Sequence, residues 1–418
     1  MGSMRKNWFH SLPNEALHAE FLQDVSKLLL KEAVFAGTQR KNPVVRFHDP
    51  DHLYDLLNLT PTEKPATHTE LLKAICDTIN FSVKTGHPYF INQLFSSQRD
   101  GLGCAPKLVM FASEDAHYSV HKMAALLGLG EQNVCSVQTD KTGRMDSLYL
   151  ESQVQRIIAT GAVPFMVVAT AGTTVLGAFD PLPAIADVCT KYNLWFHVDA
   201  AWGGGLLFSR THHHKLIGLD RADSVVWNPH KLLAAPQQCS MLLVRHPNII
   251  KACHACNATY LFQKDKFYDV SIDFGDKYLQ CGRRADVFKF WFMWKAKGSI
   301  GFEEHVNALM DCASYITTSL RQRPSFKLVL EPEFINVCFW YIPQSLQGLQ
   351  EQPDFNEKLH KIAPRMKELM MRKGSMMISY QPLQSLPNFF RFVVQNSGVT
   401  HQDVDYFLDE LDRLGADL

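Results

Sequence analysis

Between Lys107 and Val244, short apolar runs of strand length alternate with amphipathic stretches of helix length. The runs are Leu108 to Phe111, Val134 to Val137, Val163 to Val168, 194 to 198, 224 to 227 and 241 to 244. Helical stretches separate the earlier ones, near His117 to Leu127, Asp146 to Ala159 and Pro183 to Tyr192. Strands that are apolar throughout are buried on both faces, and a helix is the usual way back to the same end of a sheet. The alternation therefore predicts an α/β fold with a mostly parallel sheet covered on both sides. Open sheets of this kind bind ligands at the carboxyl ends of their strands. The residues that follow each run are where chemistry is to be sought.

One such end is Asn228-Pro229-His230-Lys231, between Ser224-Val225-Val226-Trp227 and Leu232-Leu233-Ala234-Ala235. A lysine at the end of a buried strand is costly as an ammonium, because desolvation disfavours the charged form, and it is better placed as a nucleophilic amine. Such amines condense with aldehydes, of which pyridoxal 5'-phosphate is the commonest in biology. Upstream, Leu194-Trp195-Phe196-His197-Val198 ends in Asp199 and then in Ala200-Ala201-Trp202-Gly203. An aspartate there either pairs with a pyridinium nitrogen, keeping the ring an electron sink, or serves as an ordinary helix cap. Lys231, for its part, is either a cofactor-bearing amine or a lysine snorkelling from a strand end.

The order of acid, small residues and strand-ending lysine resembles that of the pyridoxal-phosphate-dependent decarboxylases of the glutamate and aromatic amino-acid type. His-Val-Asp-Ala-Ala-Trp-Gly-Gly at 197 to 204 and Asn-Pro-His-Lys at 228 to 231 are similar to that family's hallmark motifs. The likeness runs from about Val34 to the C-terminus and is strongest to the branch holding cysteine sulfinate decarboxylase and the insect aspartate 1-decarboxylases. It implies the pyridoxal-phosphate-dependent transferase fold (fold type I, aspartate aminotransferase-like). By the same resemblance Lys231 carries the cofactor and Asp199 faces its ring nitrogen. His117, in Ser113-Glu114-Asp115-Ala116-His117, stacks on the ring. Thr174 in Ala171-Gly172-Thr173-Thr174, Ala201 and His230 make further cofactor contacts.

Beyond the lysine, Ala258-Thr259-Tyr260-Leu261-Phe262-Gln263 opens a polar stretch through Gly275. Such a stretch between patterned regions reads as a lid. In the family the tyrosine matching Tyr260 protonates the substrate after CO2 leaves; without the resemblance, a core aromatic is an equal reading. Arg391 lies in the apolar strand Asn388-Phe389-Phe390-Arg391-Phe392-Val393-Val394. A buried guanidinium needs an anion, and a clamp on a carboxylate or a structural salt bridge would each supply one. The family assigns its equivalent to the substrate's α-carboxylate. Gln93, in His87-Pro88-Tyr89-Phe90-Ile91-Asn92-Gln93, matches a family segment of the substrate pocket and is a candidate for the side-chain acid.

The chain departs from the family at one place. Relatives continue past the Gln-Leu-Phe-Ser point to a Gly-Gly-Ser turn that opens a helix, whose backbone amides hold the cofactor phosphate, as helix N-termini do. Here Ser96-Ser97-Gln98-Arg99-Asp100-Gly101-Leu102-Gly103 passes directly to the strand at Lys107. A catalytically silent shortened form is therefore an alternative to an active decarboxylase.

Ahead of the sheet, Leu17, Phe21, Val25 and Leu28 recur at helical spacing. A second helix is predicted from Asp49-Pro50, with the aspartate as cap, and a third from Thr69 to Gly86. After it, helices near 286 to 297, 302 to 321, 356 to 373 and 401 to 414 alternate with strands at 326 to 330, 336 to 341 and 389 to 394. The expected division is a helical arm and dimer segment over 1–95, a large cofactor-binding α/β domain over 96–285 and a small C-terminal α/β domain over 286–418. In the family the arm packs on a second subunit, which implies a homodimer.

Pro236-Gln237-Gln238-Cys239 follows the lysine closely enough for Gln237 and Gln238 to reach a bound substrate. It resembles the aspartate 1-decarboxylases, whereas cysteine sulfinate decarboxylases have Gly and an aliphatic residue ahead of the shared Gln-Cys. Polar complementarity discriminates strongly, so L-aspartate, giving β-alanine, is the expected substrate and cysteine sulfinate the runner-up. Composition excludes other classes. The 42 basic and 42 acidic residues give no nucleic-acid or membrane-surface footprint, and no apolar stretch spans a bilayer. The ten cysteines lie mostly in apolar segments, as reduced thiols of a cytoplasmic protein do. Cys253-His254-Ala255-Cys256 and His212-His213-His214 lack a second closely spaced pair, so no metal is expected.

Overall fold

A computed structural model describes residues 15–39, 41–43, 45–82, 84, 107–256, 258–260, 262–263, 265–267, 269–270, 275–280 and 282–418. The apolar runs form β1 (Leu108–Ser113), β2 (Val134–Val137), β3 (Val163–Thr170), β4 (Trp195–Asp199), β5 (Ser224–Trp227) and β6 (Met241–Val244). They make one sheet in the order β2-β1-β3-β4-β5-β6. The pairings from β2 to β5 are parallel, whereas β6 returns antiparallel to β5. No helix lies between β5 and β6 to carry the chain back across the sheet, so an antiparallel return is the available geometry. Phe111, Val167, Ala169, Phe196 and Val198 are fully buried in this sheet. Each side chain as large as valine or phenylalanine contributes about 1.5–3 kcal/mol by leaving water.

Three helices connect the first strands: α4 (Ser119–Leu126), α5 (Ser147–Ala159) and α6 (Leu182–Tyr192). The amphipathic arm supplies α1 (Glu15–Leu28), α2 (Pro50–Leu57) and α3 (His68–Phe81), and α7 (Ile249–His254) follows β6. The start of α5 is fixed by Asp146, whose carboxylate accepts from the Leu148 and Tyr149 amides. α4 begins later than the sequence suggests, leaving His117 ahead of its first turn. Between β4 and β5 only short 3-10 turns occur, because the glycine- and histidine-rich stretch there has no helical period.

The C-terminal part holds a second, antiparallel sheet in the order β7-β8-β10-β9, built from β7 (Phe326–Leu328), β8 (Asn336–Tyr341), β9 (Ser379–Leu383) and β10 (Leu386–Val393). Helices α9 (Phe355–Lys373) and α10 (His401–Gly415) flank it. β9 was not expected: Ser379-Tyr380-Gln381-Pro382-Leu383 is polar and contains a proline, which only an edge strand tolerates. The two helices expected near 286 to 297 and 302 to 321 are both present; they are numbered together as α8 (Asp286–Arg321) and are separated by a kink at Gly298, where φ is 67°. A Cβ at Gly298 would lie 2.5 Å from the Glu63 carbonyl oxygen. Asp49 stands at the cap of α2 as predicted but makes no side-chain capping bond.

The chain divides into two compact units, one of Met1–Asp100 and His246–Phe302, the other of Gly101–Arg245 and Glu303–Leu418. In the first, Trp291 and Lys295 of α8 donate to the Leu59 and Thr60 carbonyls at 3.0 and 2.7 Å. That unit also holds a cavity of about 400 Å³ lined by Val25, Leu29, Ile75, Ile79, Phe288 and Phe292. The second unit holds both sheets. No helix among the described residues is long and apolar enough to cross a membrane.

Candidate active site

Asp199 ends β4 between two parallel neighbours, in register with Thr170 of β3 and Val226 of β5. Its Oδ1 accepts from the Ala201 amide at 3.0 Å, and its own carbonyl accepts from the Ala171 amide at 2.8 Å. The strand end is thus tied to the turn after β3. Ala201 is buried there. His197, two residues earlier, points its Nδ1 to Ser224 Oγ at 2.8 Å. Burial holds its imidazole below the ordinary histidine value, with Asp199 opposing.

Lys231 stands just past β5 in a turn whose first bond is its amide to the Asn228 carbonyl, 2.9 Å. The Asn228 side-chain oxygen is buried and has no hydrogen-bond partner among the described residues. His230 Nδ1 lies 2.7 Å from the Cys239 carbonyl oxygen, which closes the loop from 230 to 239. Gln237 and Gln238 are exposed on that loop.

His117 brings these groups into one place. Burial holds its imidazole below the usual value; the Lys231 charge adds to this and the Asp199 charge opposes it. An amine, a carboxylate and an imidazole therefore share one electrostatic neighbourhood. Ser119 Oγ lies 2.8 Å from His117 Nδ1 and sets the ring's orientation.

Arg391 of β10 lies opposite Cys338 of β8. Its Nη1 donates to the Thr174 carbonyl. Its Nε is buried and has no hydrogen-bond partner among the described residues. Burial lowers its pKa, the Cys338 thiol opposes, and no carboxylate among the described residues acts on it. Among the described residues Arg391 makes no structural salt bridge, one of the two uses open at the level of sequence. Thr174 keeps an exposed side chain, while Thr173 beside it is buried and accepts from the Ala178 amide at 3.0 Å.

Tyr260 belongs to the first unit and is 62% exposed, with its carbonyl accepting from Gln263 Nε2 at 3.0 Å. Gln93 and the stretch after Ser96 lie outside the described residues. Sequence reasoning passed over Asn336, Trp202 and Asp180, all of which hold the turn after β3. A polar residue opening an apolar strand was the signal for Asn336. Among the described residues no three His, Cys, Asp or Glu side chains gather as a metal site requires.

Residues 97–342 match the family described as the pyridoxal-dependent decarboxylase conserved domain. The cysteine sulfinic acid decarboxylase of Homo sapiens is 44% identical over 473 residues, taking in 95% of this chain and 96% of its own length. An acidic amino acid decarboxylase of Xenopus tropicalis is 42% identical over 475 residues, with 96% and 93% covered. The crystal structure of mouse CSAD in apo form has a TM-score of 0.74 at 41% identity, covering 96% of this chain and 100% of that one. Both curated alignments are longer than the 418-residue chain, so these relatives carry residues that have no counterpart here. With nearly the whole chain aligned at such identity, the protein belongs to the pyridoxal-dependent decarboxylase family and is a carboxy-lyase that works with pyridoxal 5'-phosphate.

Proposed function

We propose that this chain removes the α-carboxylate of a small acidic amino acid, cysteine sulfinate ahead of L-aspartate. The observation that carries the reading is geometric: Asp199 ends β4 in register with Val226 of the adjacent strand β5, Lys231 stands just past that strand, and both act on His117. The residues present suit the ring end of the cofactor: an amine past β5, a carboxylate at the end of β4, a half-buried imidazole and an orphaned Asn228 oxygen beside the lysine. When bound, pyridoxal 5'-phosphate supplies an electron sink for the pair left by departing CO2.

Lys231 offers the amine that would hold the cofactor's aldehyde carbon, and Asp199 offers its carboxyl group to the ring nitrogen. His117 presents its ring for stacking, and Thr174, Ala201 and His230 complete the cofactor's surroundings. Arg391 takes the α-carboxylate, for which its unpartnered Nε speaks. Gln93, Gln237 and Gln238 receive the side-chain acid, and the Tyr260 hydroxyl returns a proton to the substrate Cα from a lid. The division into 1–95, 96–285 and 286–418 is part of the same proposal, as is a cytoplasmic homodimer. Exposed Leu22, Leu30, Phe35 and Phe47 on the arm support a second copy packing there.

The names of the human, mouse and rat cysteine sulfinic acid decarboxylases favour cysteine sulfinate. Pro236-Gln237-Gln238-Cys239 favours aspartate, because an extra amide is able to donate to a short carboxylate. Parallel turnover on cysteine sulfinate, aspartate and glutamate, with Gln237→Leu beside the parent, decides between them. Preference for cysteine sulfinate, with Gln237→Leu raising KM for the acids without reversing that order, is the expected result. An aspartate preference that Gln237→Leu abolishes reverses the order, and glutamate as best substrate refutes both. The residues that relatives carry and this chain lacks favour a second reading, a catalytically silent form.

A further inference from the structure

We infer that Asn336 is the positioning residue that fixes Arg391 for the substrate's carboxylate, an inference that rests on the role proposed for Arg391. Asn336 opens β8 and is 2% exposed. Its Oδ1 accepts from the Trp202 indole N–H at 2.8 Å, and its Nδ2 donates to the Thr174 and Val175 carbonyls at 3.1 and 3.0 Å. The orientation of the amide is fixed by its partners, since an indole N–H only donates and a carbonyl only accepts.

The Thr174 carbonyl is also the acceptor for Arg391 Nη1. Two adjacent strands thus reach one oxygen: Asn336 from β8 and Arg391 from β10, where Val393 is in register with Asn336. Occupying Nη1 leaves the edge that contains Nε, buried and unpartnered, for an anion. The turn itself is pressed on β8. A Cβ at Gly177, where φ is +70°, would lie 3.1 Å from Asn336 Cβ, and Leu176 and Ala178 pack with Cys338 and Phe389. Removing the amide orphans the indole and the Val175 carbonyl and releases the oxygen that holds the guanidinium.

The test is a double-mutant cycle of Asn336→Ala and Arg391→Ala, read as KM and kcat for cysteine sulfinate and as Kd for succinate, a diacid with no amine to react. Each single change should raise KM and Kd about 10-fold or more, with kcat less affected. The double variant should be no worse than Arg391→Ala within about 2-fold, because Asn336 acts only through the arginine. Effects that multiply overturn the inference and leave the role of Arg391 standing. An Arg391→Ala chain with parent KM and Kd refutes that role and the inference with it. If Asn336→Ala does not fold, Trp202→Phe removes the donor that orients the amide, together with part of the indole's packing on Phe334, and runs the same cycle with the same outcomes.

Discussion

Asp180 holds the strand end nearest the lysine's neighbours. Its two carboxylate oxygens accept from the Met145 and Thr170 amides, each at 2.7 Å. Burial pushes the carboxyl up to about 7 against those two N–H groups, with Asp115 and Asp140 adding to the rise. A folded value above the ordinary 3.8 means that the folded state binds the proton more tightly. The associated stability is full below the unfolded value and is lost as pH rises toward about 7. Asp180→Asn offers one acceptor to two N–H groups, so the variant should lose about 1–3 kcal/mol at acid pH. It should also lose the titration. Thermal melts at pH 5 and pH 8 check both: the parent's midpoint should fall by more than the variant's, and equal falls would contradict this account of Asp180. Residues of this kind were illegible in the sequence, because their partners lie on other elements. Asp199 and Lys231 were legible because the apolar runs before them announce strand ends.

At the scale of elements, the site depends on how closely the turn after β3 meets the turn after β4. The Gly203 amide donates to the Ala171 carbonyl at 2.9 Å, and a Cβ on Gly203 would lie 2.5 Å from that oxygen and 2.7 Å from Phe179 Cε1. Gly203→Ala should therefore push the two turns apart, costing about 1–3 kcal/mol as overpacking does. Urea unfolding measures it, and an unchanged midpoint would show that the contact yields without strain. The strands and connecting helices of the first sheet were readable from periodicity alone, since each buries whole faces. β9 was not, because an edge strand is half solvated and tolerates Pro382. Nor were the 3-10 turns between β4 and β5, where Gly203-Gly204-Gly205 and the histidine run carry no period.

For the molecule as a whole, the direct passage from Ser96 to Lys107 bears on the cofactor's phosphate rather than its ring. Each hydrogen bond to a charged group is worth about 1.5–3 kcal/mol, so a complete phosphate turn favours the phosphorylated cofactor over pyridoxal by more than about 100-fold. Without that turn the ratio of dissociation constants should be about 10-fold or less, measured by visible absorbance of the bound cofactor. A ratio above about 100-fold would mean that other residues hold the phosphate. The claim on which everything else depends is that Lys231 is the amine that takes the cofactor. Borohydride reduction of the cofactor-treated protein, followed by peptide mapping, tests it directly. A pyridoxyl group on Lys231, absent from Lys231→Ala, is the expected result; a label on any other lysine, or none, would contradict it.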